Sequence, residues 1–317
     1  MEVVVGIDIG GTNTEYGLIN RDGEVLLSSK LHTPDYEEAE NLVIALSDKI
    51  KNIIRGGEYE LRGIGIGVPN GNYYKGTVEY AANLKWRNYV PMVEMFNKRF
   101  PDIKTVLTND ANAAAIGEKV FGAANEMKHF VVITLGTGLG AGIFINGMIY
   151  HGTDGFAGEI GHTIYDYEGR NCNCGRRGCL ETYVSASGIK RTVAELISTT
   201  NISSTLRDVP NAKLSGKLIE ANAQAGDKLA LKAFNFTAEI LGKHLADVVA
   251  YLNPEAIFLL GGLSNAGDLL FKPVEFHLNQ NLLYVFKNNV KVLPSGIKDG
   301  NAAIIGAAAL AWSEIKI

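Results

Sequence analysis

Three cysteines and a histidine share the stretch 161–181, GHTIYDYEGRNCNCGRRGCLE, which holds every cysteine of the chain. Cys172, Cys174 and Cys179 with His162 supply three thiolates and one imidazole, the donor set of a closed tetrahedral zinc site. A structural zinc would fold a loop too polar and glycine-rich to fold itself. Glu159 and Glu181 would ride on the same frame, and two carboxylates so fixed suit a polyhydroxylated ligand. Disulfide pairing is the competing reading, but three thiols within eight residues leave one over. The chain opens MEVVVGIDIG, without the basic and apolar regions of a secretion signal. A reducing cytoplasm is therefore expected, where clustered cysteines more often bind metal.

A second chemistry is written in the glycines. Asp8-Ile9-Gly10-Gly11-Thr12 follows an apolar run. Glycines let backbone N–H groups crowd around phosphate oxygens, and the Thr12 hydroxyl adds a donor. Asp8, at a strand's end, can hold Mg²⁺ directly or through water. FVVITLGTGLGAGIFINGMIY repeats the layout: strand, glycine-threonine turn, strand, Asn146-Gly147 turn, strand. Thr134 and Gly136-Thr137-Gly138 would close on the phosphates from the other side. Gly261-Gly262, ending the apolar run 256–262, would let an adenine or ribose lie against bare backbone. GTGLGA (136–141) is no dinucleotide fingerprint, because it leads into a strand rather than a helix. The pattern GxxxxGK[ST] is absent as well.

Asn109-Asp110 stands between an expected strand, 104–108, and an alanine-rich helix beginning near Ala111. Ligands in α/β proteins gather at the carboxyl ends of strands, so Asp110 is a candidate general base. Asp is also a preferred helix N-cap, and the two roles are compatible.

The elements that must position these groups alternate in type. Helical spacing marks 38–54, with Leu42, Leu46 and Ile50 on one face, and 228–252, with Leu241, Leu245, Val248, Val249 and Leu252 on another. Strand 63–69, helix 91–100 and a final helix 302–316 complete the pattern. The two glycine hairpins imply two copies of one βββαβα unit, an α/β fold. A length of 317 residues allows one or two domains, and a net charge of −4 carries no nucleic-acid footprint. The longest apolar run, 302–312, is far short of the roughly 20 residues a membrane span needs.

Together these segments resemble the ROK family, named for repressors, open reading frames and kinases, within the actin-like sugar-kinase superfamily. IDIGGTNT looks like its first phosphate motif and TLGTGLGAG its second. LTNDANAAAIGE resembles its catalytic segment, and GEIGH with CNCGRRGCLE its zinc and sugar signature. The resemblance runs over nearly the whole chain. It implies an actin-like, ribonuclease H-like fold, with two lobes around a nucleotide and sugar cleft and a zinc-stabilised loop. The smaller lobe is expected over 1–108 plus 301–317, the larger over 109–300. Asp110 would be the catalytic base. Asn109, Glu159, His162 and Glu181 would contact the sugar, with Gly71 and Asn83 matched more loosely. His162, Cys172, Cys174 and Cys179 would hold zinc, and Asp8, Gly10, Gly11 and Thr12 the nucleotide. His162 would bind metal through one ring nitrogen and offer the other to a sugar hydroxyl. Arg176 and Arg177 read as solvated surface.

The implied activity is an ATP- and Mg²⁺-dependent hexose kinase acting at the 6-hydroxyl, glucose first. N-acetylmannosamine and N-acetylglucosamine are the alternative acceptors. A sugar-responsive regulator is the distant alternative, disfavoured because the first hairpin begins at Val3 and leaves no room for a DNA-binding helix-turn-helix. Partners are expected to be a sugar and a nucleotide, with no nucleic acid and no membrane, in a homodimer or homotetramer.

Overall fold

A computed structural model describes residues 1–86, 88–297 and 302–315. Along the chain run β1 (Glu2–Ile9), β2 (Asn13–Ile19), β3 (Val25–His32), α1 (Ala39–Ile54), β4 (Glu60–Gly67), β5 (Gly71–Asn72), β6 (Thr77–Glu79), β7 (Tyr89–Val90), α2 (Met92–Arg99), β8 (Lys104–Thr108) and α3 (Asp110–Val120). There follow β9 (Phe130–Leu135), β10 (Leu139–Ile145), β11 (Met148–Ile149), α4 (Glu181–Val184), α5 (Ala186–Thr199), α6 (Gly216–Gln224), α7 (Lys228–Leu252), β12 (Ala256–Leu260), α8 (Asp268–Asn281), β13 (Lys291–Pro294) and α9 (Ala302–Glu314). The expected end of the last helix, residue 316, lies outside the described residues.

Two units divide the chain. The first holds Met1–Met127, Gly142–Gly158 and Ser295–Ile317; the second holds Lys128–Ala141 and Glu159–Pro294. The expected division after residue 108 therefore falls inside the first unit. The reason is packing: α3 lies against α9, where a Cβ on Gly117 would stand 3.0 Å from the Gly306 Cα.

In the first unit a sheet of order β3-β2-β1-β4-β8 places β1, β4 and β8 parallel. Asp8 pairs with Gly67 and Gly67 with Thr108, so the carboxyl ends of three strands finish in line. Alternate residues of β1, such as Val3, Val5 and Ile7, face Leu42, Leu46 and Ile50 of α1 in one fully buried core. A small sheet, β5-β6-β7, follows β4. No alternating apolar pattern announces strands two or three residues long, and the sequence reading passed over them.

In the second unit β10, β9, β12 and β13 lie side by side, with β9, β12 and β13 parallel. β10 runs on past Ala141 into the first unit, where Phe144 pairs with Ile149 of β11. Asn146 and Gly147 both take positive φ in that turn, 54° and 77°, which a two-residue hairpin of this hand requires. α7 begins where the Asp227 carboxylate accepts the N–H groups of Leu229 and Ala230 at 2.9 Å, and it ends on left-handed Asn253. Its stripe is buried at Leu241, Leu245, Val248 and Val249, while Leu252 is only partly covered. Among the described residues no helix is long and apolar enough to cross a membrane.

Candidate functional site

The strand ends of the first unit carry its chemistry. Gly67 separates the two candidate aspartates: a Cβ there would lie 3.8 Å from Asp8 Oδ1 and 3.7 Å from the Asp110 Cα. Burial, then the charges of Asp110 and Glu15, push the Asp8 carboxyl from its usual 3.8 up to about 7. A divalent cation at Asp8 would relieve that cost, so the residue fits a magnesium role. Asp110 is raised too. Protein packed around it disfavours the charge, against the opposing pull of the Ala111 N–H and its own N–H. Water still reaches Asp110, which is exposed at the surface.

The cap of α3 is Asn109, not Asp110. Asn109 has extended backbone and its Oδ1 accepts the Ala111 N–H at 2.9 Å. Asp110 is the first helical residue, with Oδ1 also 2.9 Å from that N–H. The N-cap position weighed for Asp110 is thus taken by its neighbour, and the two side chains share the Ala111 N–H. Thr108 and Asn112, on either side, bury Oγ1 and Oδ1 without a hydrogen-bond partner among the described residues. Buried polar atoms left so are uncommon, and Ser47, Trp86, Arg99, Thr105 and His151 bury others. Sequence reading missed Thr108 and Asn112, since neither type is distinctive in a strand or helix.

At the first glycine turn the Gly10 N–H reaches the Asn13 carbonyl at 2.9 Å. Gly11 is pressed on by Asn83, whose carbonyl oxygen would be 2.5 Å from an added Cβ. Asn83 therefore lies beside the expected phosphate turn. Thr12 is exposed at its tip. Gly71 is buried against the Thr108 carbonyl, 2.5 Å from an added Cβ, a packing reason for glycine at the end of β8.

In the second unit His162, Cys172, Cys174 and Cys179 converge, their ligand atoms all within 4.8 Å of one another. Cys174 Sγ is 3.6 Å from Cys179 Sγ, and Cys172 Sγ is 3.8 Å from His162 Nδ1. A tetrahedron with metal bonds of about 2.0–2.3 Å has edges of roughly 3.3–3.8 Å, which these two contacts match, so the cluster could hold zinc. Unless a cation lies between them the thiols resist being charged together. Burial and then Cys174 and Cys172 drive Cys179 up to about 12. At Cys174 burial is outweighed by the Arg176 N–H, the Arg176 side chain and the other two thiols, which hold it near 7. With Nδ1 facing the thiols, His162 turns Nε2 toward Glu159, 3.9 Å from its Oε2. Arg176 is exposed but not idle, since it donates to the His162 carbonyl at 2.7 Å.

Glu181, expected to contact the sugar, also has protein partners. Its Oε2 accepts the Leu139 N–H at 2.9 Å, and its Oε1 lies 4.0 Å from Cys172 Sγ. A Cβ on Gly138 would strike Oε2 at 2.2 Å, so glycine there admits the carboxylate. Gly136 and Gly262, by contrast, border open space and need no left-handed backbone. Gly261 takes a φ of +95° against the Leu135 backbone. Thr134 spends its hydroxyl on the Gly140 N–H at 3.2 Å, and Thr137 is exposed.

The ROK family model matches residues 4–314. A glucokinase of Halalkalibacterium halodurans is 36% identical over 279 residues, 86% of this chain and 84% of that one. A xylose repressor of Caldicellulosiruptor bescii is 33% identical over 321 residues, 98% of this chain and 78% of its own. Among solved structures, a ROK family glucokinase from Streptomyces griseus in complex with glucose and AMPPNP is similar at a TM-score of 0.83 and 32% identity, covering 98% of this chain and 99% of that one. With aspartates at the ends of β1 and β8, paired glycine hairpins and a cysteine-histidine cluster in place, the chain belongs to the ROK family.

Proposed function

We propose that the protein is an ATP-dependent sugar kinase that phosphorylates the 6-hydroxyl of glucose. The observation that carries the reading is Asp110, a water-accessible carboxylate just past the carboxyl end of β8, next to the cap residue Asn109. Kinase relatives match over nearly the whole chain, and one is known with glucose and AMPPNP. A sugar hydroxyl is a weak nucleophile, so Asp110 takes its proton as the oxygen attacks phosphorus. A raised carboxyl is the stronger base for that transfer. Asn109 orients the acceptor beside Asp110. Mg²⁺, when bound with ATP, neutralises charge developing on the transferred phosphoryl. Asp8 holds that cation, directly or through water, and the turn at Gly10-Gly11-Thr12 steadies the phosphates. In the second unit the glycine turns assign Gly136, Thr137 and Gly262 to the nucleotide. The family resemblance assigns His162 and Glu159 to the sugar, and His162, Cys172, Cys174 and Cys179 would hold zinc.

A coupled assay of ATP consumption against a sugar panel tests this. Glucose is expected to exceed N-acetylmannosamine, N-acetylglucosamine and mannose in kcat/KM. A top rank for any of those transfers the assignment to that sugar, and no turnover with the whole panel removes the kinase reading. The match to a xylose repressor gives a second reading, a sugar-responsive regulator, which predicts sugar binding without ATP consumption.

A further inference from the structure

The corner where α4 meets α5 grips the second glycine turn at three places. The Ala186 N–H donates to the Gly136 carbonyl at 2.9 Å. The Ser187 hydroxyl donates to the Thr137 carbonyl at 2.8 Å. The Glu181 carboxylate accepts the Leu139 N–H at 2.9 Å and fills the space a Gly138 side chain would need. Ser185 ties the corner together, donating to the Glu181 carbonyl at 2.7 Å and lying 3.0 Å from the Ser187 hydroxyl. The same corner hangs from the cysteine loop: Cys179 is two residues before Glu181, and Cys172 Sγ is 4.0 Å from Glu181 Oε1. A turn with both carbonyls engaged and its far N–H anchored holds one backbone conformation, which is what a preorganised phosphate loop needs.

We infer that Glu181 and Ser187 are positioning residues for the nucleotide loop, so that metal occupancy of the cysteine loop sets nucleotide affinity as well as sugar affinity. The inference rests on the kinase reading above, in which residues 136–138 meet the nucleotide. Its mechanical content is short-range. Metal would fix Cys172 and Cys179, these fix the start of α4, and the α4–α5 corner fixes the turn, Glu181 at Leu139 and Ala186 at Gly136. Ser187 touches neither metal nor thiol, so it reports on the last link alone.

The test is calorimetric titration of Mg²⁺-AMPPNP into wild type, Ser187→Ala, Ser187→Thr and zinc-stripped wild type, with a parallel glucose titration. Ser187→Ala is expected to raise the nucleotide Kd about fivefold, the scale of one lost hydrogen bond, with Ser187→Thr restoring it. The glucose Kd of Ser187→Ala stays at the wild-type value. Zinc-stripped protein, its folded state checked by circular dichroism, loses affinity for both ligands. Wild-type nucleotide affinity in both Ser187→Ala and the stripped protein overturns the coupling while leaving the kinase reading intact. Stripped protein that loses glucose but keeps nucleotide overturns the metal link. A wild type that binds no nucleotide overturns the kinase reading itself.

Discussion

At the end of β1 stands a carboxylate, Asp8; at the matching place at the end of β9, two residues before the turn glycine, stands a hydroxyl, Thr134. The two hairpins share their strand-glycine-strand layout, yet they spend their polar groups in opposite ways. Thr134 satisfies the Gly140 N–H of its own hairpin, and the turn beyond it is braced by Glu181, Ala186 and Ser187. Asp8 is held largely out of water beside another carboxylate and pushed up to about 7. One hairpin is built to keep its shape. The other places a carboxyl where charge is costly, the pattern expected of a residue that serves chemistry rather than stability.

The largest effect expected is at the partner of that charge. Asp110→Asn should lower kcat by roughly 10²–10⁴-fold, the usual contribution of a positioned base. Because Asn109 is the cap, the substitution should move stability by less than about 1 kcal/mol, and sugar binding should survive. Turnover measured beside the thermal midpoint and a glucose titration checks it; a kcat within a few-fold of wild type removes Asp110 from the mechanism.

Next in size is the metal frame. Purified protein should carry about one zinc per chain, and Cys174→Ser should lose it and weaken glucose binding by about tenfold or more. Elemental analysis and sugar titration report the two effects separately. Wild-type sugar affinity in a metal-free variant would detach the cysteine loop from the site.

The smallest effect belongs to the braced hairpin. Thr134→Val removes one acceptor for the Gly140 N–H and should destabilise by about 1 kcal/mol, with no pH dependence of its own. A fall in stability several times larger would mean that Thr134 does more than close its hairpin.

Much of this was legible in the residues. Three cysteines and a histidine have few reasons to share 18 residues, and the structure brings those four together. The long helices were readable because their apolar spacing runs over many turns: α7 spans Lys228–Leu252 as expected. What escaped was set by contacts rather than pattern. Nothing in the order Asn109-Asp110 says which of two good capping residues will take the cap; the extended backbone of Asn109 decides it. The link from Glu181 to Leu139 spans 42 positions and involves a backbone N–H, which every residue but proline has. The division into units also moved, because α3 is amphipathic toward neither side in sequence and finds its neighbour, α9, from nearly two hundred residues away.

The most direct test of the contrast between the hairpins is the thermal midpoint of ligand-free wild type and Asp8→Asn between pH 4 and pH 8, with turnover measured on both. A carboxyl raised from 3.8 to about 7 on folding binds its proton more tightly in the folded state. Its contribution is therefore full below pH 4 and is lost as pH rises through 7, a cost of at most about 4 kcal/mol. Asp8→Asn escapes that loss. It should melt above wild type at pH 8, converge with it toward pH 4, and phosphorylate glucose far more slowly at every pH. An Asp8→Asn protein that melts at or below wild type at pH 8, or turns over at the wild-type rate, contradicts the account.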